Sequence, residues 1–436
     1  MHFYKARLAI VFIGILVLSW FIPQTYWRVT RSDYFGLSAT YSPTREAFVI
    51  RESTAVRSVL RTEDGQILNG REMRMALPFM YRMDLQKWNK FPITIGENTF
   101  DFNQASQTQI GRLRPRMFND PMPGVTVLLE SEPEGASLEL PTDLMIVTDT
   151  GLKFVRADKK EVLTEKAKRF NDALASAGIV FPLKAFGNNP DPLKPFDEGA
   201  FMVDAKNQVA QLKMVRGEPI VKVMPYSAPE GTRALTVSES ALRHHYGTLM
   251  TPTAVYLMMY DDTLQPLPVR DYRAESDTLT LWTTPLTHSM MKTRFSRDEM
   301  MGDFTATATN RDFKVIAETT VSYPPERRER EARVQEWVNF FSPMMISQLT
   351  PTRSGVFFDV SFARAPIVTL LGNLVALALY LAIQWVLTTR GNNGNRRRQA
   401  FLRENALAAG IIAVFGLPAL VATLTAGSLM TSTKRS

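Results

Sequence analysis

The chain has 436 residues, of which 45% are hydrophobic and 22% charged, with a net charge of +8 and no cysteine. That balance excludes wholesale disorder. The missing cysteines exclude thiol catalysis, disulfides and Cys-ligated zinc or iron–sulfur centres, and four histidines leave little scope for histidine-based metal chemistry.

The positive excess sits in three places. Lys5 and Arg7 mark the N-terminal tip, Arg390, Arg396, Arg397, Arg398 and Arg403 outweigh Glu404, and Lys434 with Arg435 close the chain. The block between residues 24 and 364 is therefore close to neutral. A nucleic-acid binder concentrates basic charge on the folded domain that meets phosphate. Charge that flanks hydrophobic segments serves membrane topology instead, so a lipid bilayer is the expected partner and no nucleic acid is.

Residues 1–27 read as a cytoplasmic tip and a transmembrane anchor. Leu8 to Ile22 is charge-free, and with Gln24 to Trp27 the segment reaches the roughly 20 residues a bilayer requires. A cleaved signal peptide would need a small-x-small site after the apolar run. Trp20, Phe21, Tyr26 and Trp27 stand there instead and suit an interfacial aromatic belt, so an uncleaved anchor is expected.

Residues 28–140 form an α+β membrane-proximal region. Residues 40–68 look extended, turning at Asp64-Gly65. Gly70 to Lys90 reads as a helical pair broken at Pro78, with Met80, Met83 and Leu85 toward a core and Arg82, Asp84 and Lys87 outward.

Residues 141–364 form a β-rich periplasmic domain. A helix is expected from an N-cap at Thr164, through Ala167, Phe170, Leu174 and Ala177, to a stop at Gly178. Lys184 to Gly199 reads as a loop, dense in Pro, Asn, Asp and Gly. Hairpins turn at Asp149–Gly151, Asp204–Asn207, Asp261-Asp262 and Asn310–Asp312, a spacing near 50 residues. That spacing is the kind propeller blades give, so a complete β-propeller is one reading and an irregular antiparallel sheet or an incomplete or irregular propeller the other. Pro325 to Phe341 is an expected helix with a solvated, charged first half and a docking stripe of Val334, Trp337, Val338 and Phe341; it reads as a surface helix, with partner binding as the rival. Gly355 to Phe362 reads as a strand.

Residues 365–387 form a second transmembrane helix, 388–405 a basic cytoplasmic loop, 406–430 a third transmembrane helix with Pro418 at its middle, and 431–436 a tail. A helical hairpin buried in a soluble protein is the rival, but uncharged runs this long are rare in soluble cores. Five arginines against one glutamate place the loop inside. The expected fold is thus a membrane protein with one N-terminal and two C-terminal transmembrane helices, a mainly β external domain and a few further helices. Its expected location is a bacterial inner membrane, multi-pass, with the tip inside, the large domain periplasmic and the tail outside.

No catalytic constellation stands out. The motifs G-x-S-x-G, G-x-G-x-x-G and G-x-x-x-x-G-K-[ST] are absent, so no catalytic residue, cofactor-binding residue or nucleotide loop is assigned and the chain is expected not to be an enzyme. His244-His245 on a strand would point to opposite faces and so fail to ligate one ion. His288 with Met290 and Met291 has the ligand types of a Cu(I) site. Methionine is also a flexible core filler, and the dense repetition of a soft-metal binder is missing, so no metal site is assigned. Arg396-Arg397-Arg398 has the charge to meet anionic lipid, although topology alone accounts for it.

From Leu140 to Val223 a set of short motifs recurs in a recognisable order. They are Leu140-Pro141-Thr142-Asp143, Thr148-Asp149, Gly151, Phe154, Lys168-Arg169-Phe170, Phe181-Pro182, Gly187-Asn188 with Pro190, Asp197-Glu198-Gly199, Asp204, Leu212-Lys213, Gly217 and Pro219. Leu77-Pro78-Phe79, Phe91-Pro92 and Tyr41-Ser42-Pro43 agree in character. The stretch resembles an uncharacterised bacterial family of membrane-anchored proteins encoded beside ABC transporter ATPases. The resemblance implies a transporter-associated envelope protein and brings no catalytic residues. The expected function is an accessory or membrane subunit of an ABC-type transport system, non-catalytic itself, with ATPase and permease subunits as partners. An envelope scaffold or sensor that binds an external ligand or protein is the alternative.

Overall fold

The computed structural model describes residues 2–30, 35–54, 57–119, 121–156, 158–294, 303–348, 358–363, 365–389 and 394–432. The chain divides into two compact units, residues 34–323 and residues 1–33 with 324–436.

The first unit is built from antiparallel meanders of consecutive strands. The first sheet comprises Phe35–Ser42, Ala47–Thr54, Ser58–Thr62 and Ile67–Leu68. The second comprises Asp143–Thr148, Gly151–Arg156 and Glu161–Val162, and the third Ala185–Asn188, Ala200–Val203, Gln208–Val215 and Glu218–Ser227. The fourth comprises Ala234–Val237, His245–Met250, Val255–Met259 and Leu264–Pro266. The fifth comprises Asp277–Thr283, Thr287–Arg294, Phe304–Asn310 and Val315–Val321, with Gln109–Leu113 paired onto the edge of Asp277–Thr283. All four expected hairpin turns are present. Their tips carry left-handed Asn207 and Asp262, residue types that tolerate positive φ because a short polar side chain can bond nearby backbone. At the first of these, the Asp204 carboxylate accepts from the Lys206 and Gln208 amides, each at 2.8 Å.

These sheets pack in a row. Phe48 and Ile50 of the first meet Phe304 and Ala306 of the fifth. Leu279 and Met290 of the fifth meet Met250 and Leu257 of the fourth. Leu249 and Met258 of the fourth meet Phe201 and Val203 of the third. Met202 and Ala210 of the third meet Met145 and Phe154 of the second. The second sheet is then covered by Phe170 and Leu174 of helix Thr164–Ser176 rather than by another sheet. Among the described residues no closed barrel or propeller forms. The repeat of hairpins near 50 residues is a real feature of the fold, but it builds an open row.

Several local expectations need correcting. The N-cap of helix Thr164–Ser176 is Leu163, with no side-chain cap, and Thr164 is already helical. In the pair Gly70–Ala76 and Arg82–Lys87, Leu85 is buried while Met80 and Met83 are exposed: Met80 lies in the turn before the second helix, and that helix is too short to present more than one residue inward. The loop expected from Lys184 begins with the strand Ala185–Asn188.

The second unit holds three helices long and apolar enough to cross a membrane, with candidate spans Leu8–Thr30, Pro366–Leu387 and Asn405–Ala426. They lie within helices His2–Thr30, Pro366–Thr389 and Gly394–Ser432. Small residues let them approach closely: a Cβ on Gly14 would lie 3.0 Å from that of Ala422. The third helix is not one straight rod. Gly416 has φ 58° and ψ −136°, a conformation only glycine adopts at little cost, and Pro418 follows with no amide to donate. Asn373 of the second helix meets the break. Its Nδ2 donates to the carbonyls of Ala413 at 2.9 Å and Val414 at 3.3 Å; the residue that would ordinarily bond the Val414 carbonyl is Pro418, which has no amide hydrogen. Farther along, Tyr380 Oη donates to Asn405 Oδ1 at 2.8 Å. Helix Pro325–Phe341 docks by its C-terminal end, with Thr369 Oγ1 donating to the Asn339 carbonyl at 3.2 Å. Val334 and Val338 are buried as the stripe requires, but Trp337 is not. A hairpin of Met344–Gln348 and Phe358–Phe362 completes the unit; residues 355–357 of the expected strand lie outside the described residues.

The Asn373 lock yields a test. Asn373→Leu keeps the volume and removes the donor, so it strands the Val414 carbonyl in an apolar setting and should cost about 1–3 kcal/mol. Gly416→Ala should also destabilise, since its Cβ would lie 2.4 Å from Asn373 Oδ1, whereas Gly410→Ala, with open space around it, should be neutral. Thermal unfolding of the detergent-solubilised chain reads all three.

Candidate functional site

Two polar clusters are buried in the β unit. The first is built by the turn after Ala185–Asn188. Lys194 Nζ lies 2.5 Å from Asp197 Oδ1 and 2.6 Å from Glu239 Oε1, and donates to the Asn189 carbonyl at 2.6 Å. The second oxygens are engaged too. Asn189 Nδ2 donates to Glu239 Oε2 at 2.8 Å, and Ser131 Oγ and the Gly199 amide donate to Asp197 Oδ2 at 2.5 and 2.9 Å. Glu198 faces away from this knot. It pairs with Lys213 at 2.7 Å, accepts from Gln211 Nε2 at 2.9 Å and from Tyr260 Oη at 3.2 Å. Burial, with Glu198 beside it, pushes the Tyr260 phenol well above its ordinary value. Arg243 lies over the Phe196 ring at 3.9 Å.

These contacts explain the Asp197-Glu198-Gly199 motif. A Cβ on Gly199, at φ +70°, would lie 2.2 Å from the Leu212 carbonyl oxygen, so only glycine lets the loop close against its neighbouring strand. The two acids on either side of the fold then hold it there. With both oxygens of Glu239 and of Asp197 occupied, neither is free to act as a general base. Such a cluster tolerates no missing member, because an unpaired buried charge is costly.

The second cluster gathers three of the four histidines. His244 Nδ1 lies 3.3 Å from His245 Nδ1, and His244 Nε2 lies 3.4 Å from His288 Nε2. This corrects the expectation that adjacent histidines diverge. The strand begins at His245, its register shifts between His245 and Gly247, and Arg243 is left-handed, so His244 stands outside the regular alternation and turns back. The contacts use opposite nitrogens of His244, so the imidazoles form a chain and do not converge on one point. Met290 and Met291 of the copper alternative point into two different cores.

The chain has one consistent proton pattern. His288 Nδ1 lies 3.0 Å from the Asn310 carbonyl oxygen, which only accepts, so Nδ1 carries the hydrogen. His288 Nε2 is then bare and accepts from His244 Nε2. His244 Nδ1 is bare in turn and accepts from His245 Nδ1. Phe313 stacks on His288 with ring centroids 4.3 Å apart, and Gln109 Nε2 donates to the His245 carbonyl at 3.0 Å. Burial is the main cause that lowers all three, to about 2 for His244, about 3 for His245 and about 4 for His288; the Arg311 guanidinium adds to it. Burial lowers Arg311 as well.

The sequence carried no sign that Lys194 would meet Glu239, since the two are far apart along the chain. Asn373 could have been found, as a polar residue inside a charge-free apolar run.

The neutral histidines set a pH dependence. Above pH 6.5 folded and unfolded chains both leave them unprotonated. As pH falls below that value the unfolded chain takes up protons that the folded chain refuses, so stability is lost as pH falls toward 4. Each histidine contributes a slope of about 1.4 kcal/mol per pH unit over that window. The unfolding midpoint should drop between pH 7 and 5, and His244→Phe should make that drop shallower whatever its effect at pH 7.

A family comparison covers most of this unit. The profile of a domain of unknown function, DUF4857, matches residues 38–302, more than half of the chain, and the chain belongs to that family. Lys194, Glu239 and all three clustered histidines fall inside the matched region. No curated protein and no solved structure matches the chain.

Proposed function

Starting from its membership of that family, we propose that this chain is an accessory or membrane subunit of an ABC-type transport system. It is anchored in a bacterial inner membrane and works through a periplasmic β-rich domain, without catalysing a reaction itself. The arginine-rich stretch within 388–405 and the tip with Lys5 and Arg7 lie in the cytoplasm on this reading, by the positive-inside rule.

The break in the third apolar helix is the observation that carries the proposal. Within the candidate span Asn405–Ala426 the break at Gly416 falls about 16 Å from one end and about 15 Å from the other, near the middle of the roughly 30 Å hydrocarbon layer. A simple anchor has no use for such a break. Non-helical backbone at membrane depth is tolerated only when protein covers it or water reaches it, and broken helices of this kind recur in transport proteins. The apolar faces of Ile13, Val17, Leu370, Leu374 and Val414 stay exposed and offer contact to lipid or to permease helices. Saturated carboxylates and neutral, buried imidazoles in the β unit fit a domain that transmits force or binds, better than one that performs chemistry. The resemblance of the motif order to proteins encoded beside ABC ATPases supports the transport assignment.

Affinity purification of the tagged chain from native membranes, followed by mass spectrometry, tests it. Recovery of an ATPase and a permease is the expected outcome. A sensor kinase or regulator in their place would move the assignment to the scaffold or sensor alternative, and recovery of neither defeats the transport reading. Reporter fusions after residues 150 and 395 should report opposite sides of the membrane.

A further inference from the structure

We infer that the C-terminal end of helix Pro325–Phe341 and the hairpin Met344–Gln348/Phe358–Phe362 form an interfacial foot that lies at the boundary between the headgroups and the acyl chains of the bilayer. The inference rests on the membrane reading of the three apolar helices and assigns a lipid contact to segments outside all of them.

Three observations converge on it. The first is depth. The carbonyl oxygen of Phe340 would lie 1.9 Å from a Cβ on Gly372, which stands about 9 Å along its helix from Pro366. The missing side chain thus lets the end of helix Pro325–Phe341 descend beside a candidate span. Phe341 meets Tyr26, in the last stretch of the N-terminal span, with ring centroids 5.8 Å apart.

The second is an aromatic group at that level. Trp337 stacks on Phe341 at 5.6 Å and meets Phe340 edge-on at 5.6 Å, yet Trp337 remains 51% exposed. Trp and Tyr rings gather where bilayer meets water, because an apolar ring and a polar N–H or O–H are both satisfied there.

The third is the hairpin. Register pairs Met344 with Phe362 and Ile346 with Val360, so these four share one face. Met344 and Ile346 pack into the cluster formed by the membrane helices. Val360 and Phe362 continue that face but are 50% and 68% exposed. An apolar face half covered by membrane helices and half open is continuous with the lipid-facing surface of those helices. A soluble partner would have to displace lipid to reach it, so lipid is its occupant.

Charge adds a condition. Helix Pro325–Phe341 carries Arg327, Arg328, Arg330 and Arg333 against Glu326, Glu329, Glu331 and Glu336, a balance with no preference for anionic headgroups. The contact is therefore apolar and independent of lipid charge.

The cysteine-free sequence makes the test clean, since a single introduced cysteine takes the only spin label. The full chain is reconstituted into phosphatidylcholine vesicles, and label collisions with oxygen and with a water-soluble nickel chelate are compared. Ile13→Cys, on the exposed face of the N-terminal span, is the lipid reference, and Glu329→Cys, exposed on the charged part of the helix, is the water reference. Labels at Trp337→Cys, Val360→Cys and Phe362→Cys should give oxygen-to-nickel ratios shifted from the Glu329 value toward the Ile13 value, alike in phosphatidylcholine and phosphatidylglycerol vesicles. Ratios equal to that of Glu329→Cys overturn the inference. So does shielding from both reagents, which would mean a protein cover, and so does a shift seen only with anionic lipid. A water-like Ile13→Cys would instead defeat the membrane reading itself.

Discussion

Desolvation is the constraint that shapes both units. A polar group taken out of water keeps its free energy low only if a partner replaces the water it lost. In the β unit the groups concerned are charges, and Lys194 is the hub that lets Asp197 and Glu239 be buried together. In the helical unit they are backbone carbonyls, and Asn373 bonds the one whose usual partner is Pro418. The histidine chain meets the same demand by giving up charge altogether, each imidazole donating once and staying neutral.

The open row of sheets follows from a related economy. Each meander buries one face against the next, and a helix closes the end of the row with Phe170 and Leu174. Among the described residues most sheets join strands consecutive along the chain, so short hairpins assemble a large body with local turns. The strand Gln109–Leu113 is the exception: it crosses to the edge of Asp277–Thr283 and stitches an early segment to a late one.

Much of this is legible in the amino-acid sequence. The hairpin turns carry Asp, Asn and Gly because those residues tolerate the backbone twist a tight turn imposes. The three long apolar helices show as uncharged runs, because charged side chains resist leaving water. Helix Pro325–Phe341 shows because Val334 and Val338 recur at helical spacing. The pairings were not legible. Nothing near Lys194 announces Glu239, and strict strand alternation gave the wrong answer for His244, because a register shift is a tertiary event with no local residue code. The small strands Ile93–Ile95 and Asn98–Phe100 escaped for a similar reason: they are too short to show a period.

The amino-acid order by itself determined which segments avoid water, where hairpins turn, and on which flanks the arginines lie, since these depend on each residue's own solvation and backbone preference. Only the tertiary structure decided that the sheets form an open row, that the third apolar helix breaks onto Asn373, and that three imidazoles meet. Those outcomes turn on contacts between residues distant along the chain, where shape and the pairing of buried polar atoms choose among folds that the local pattern leaves equal.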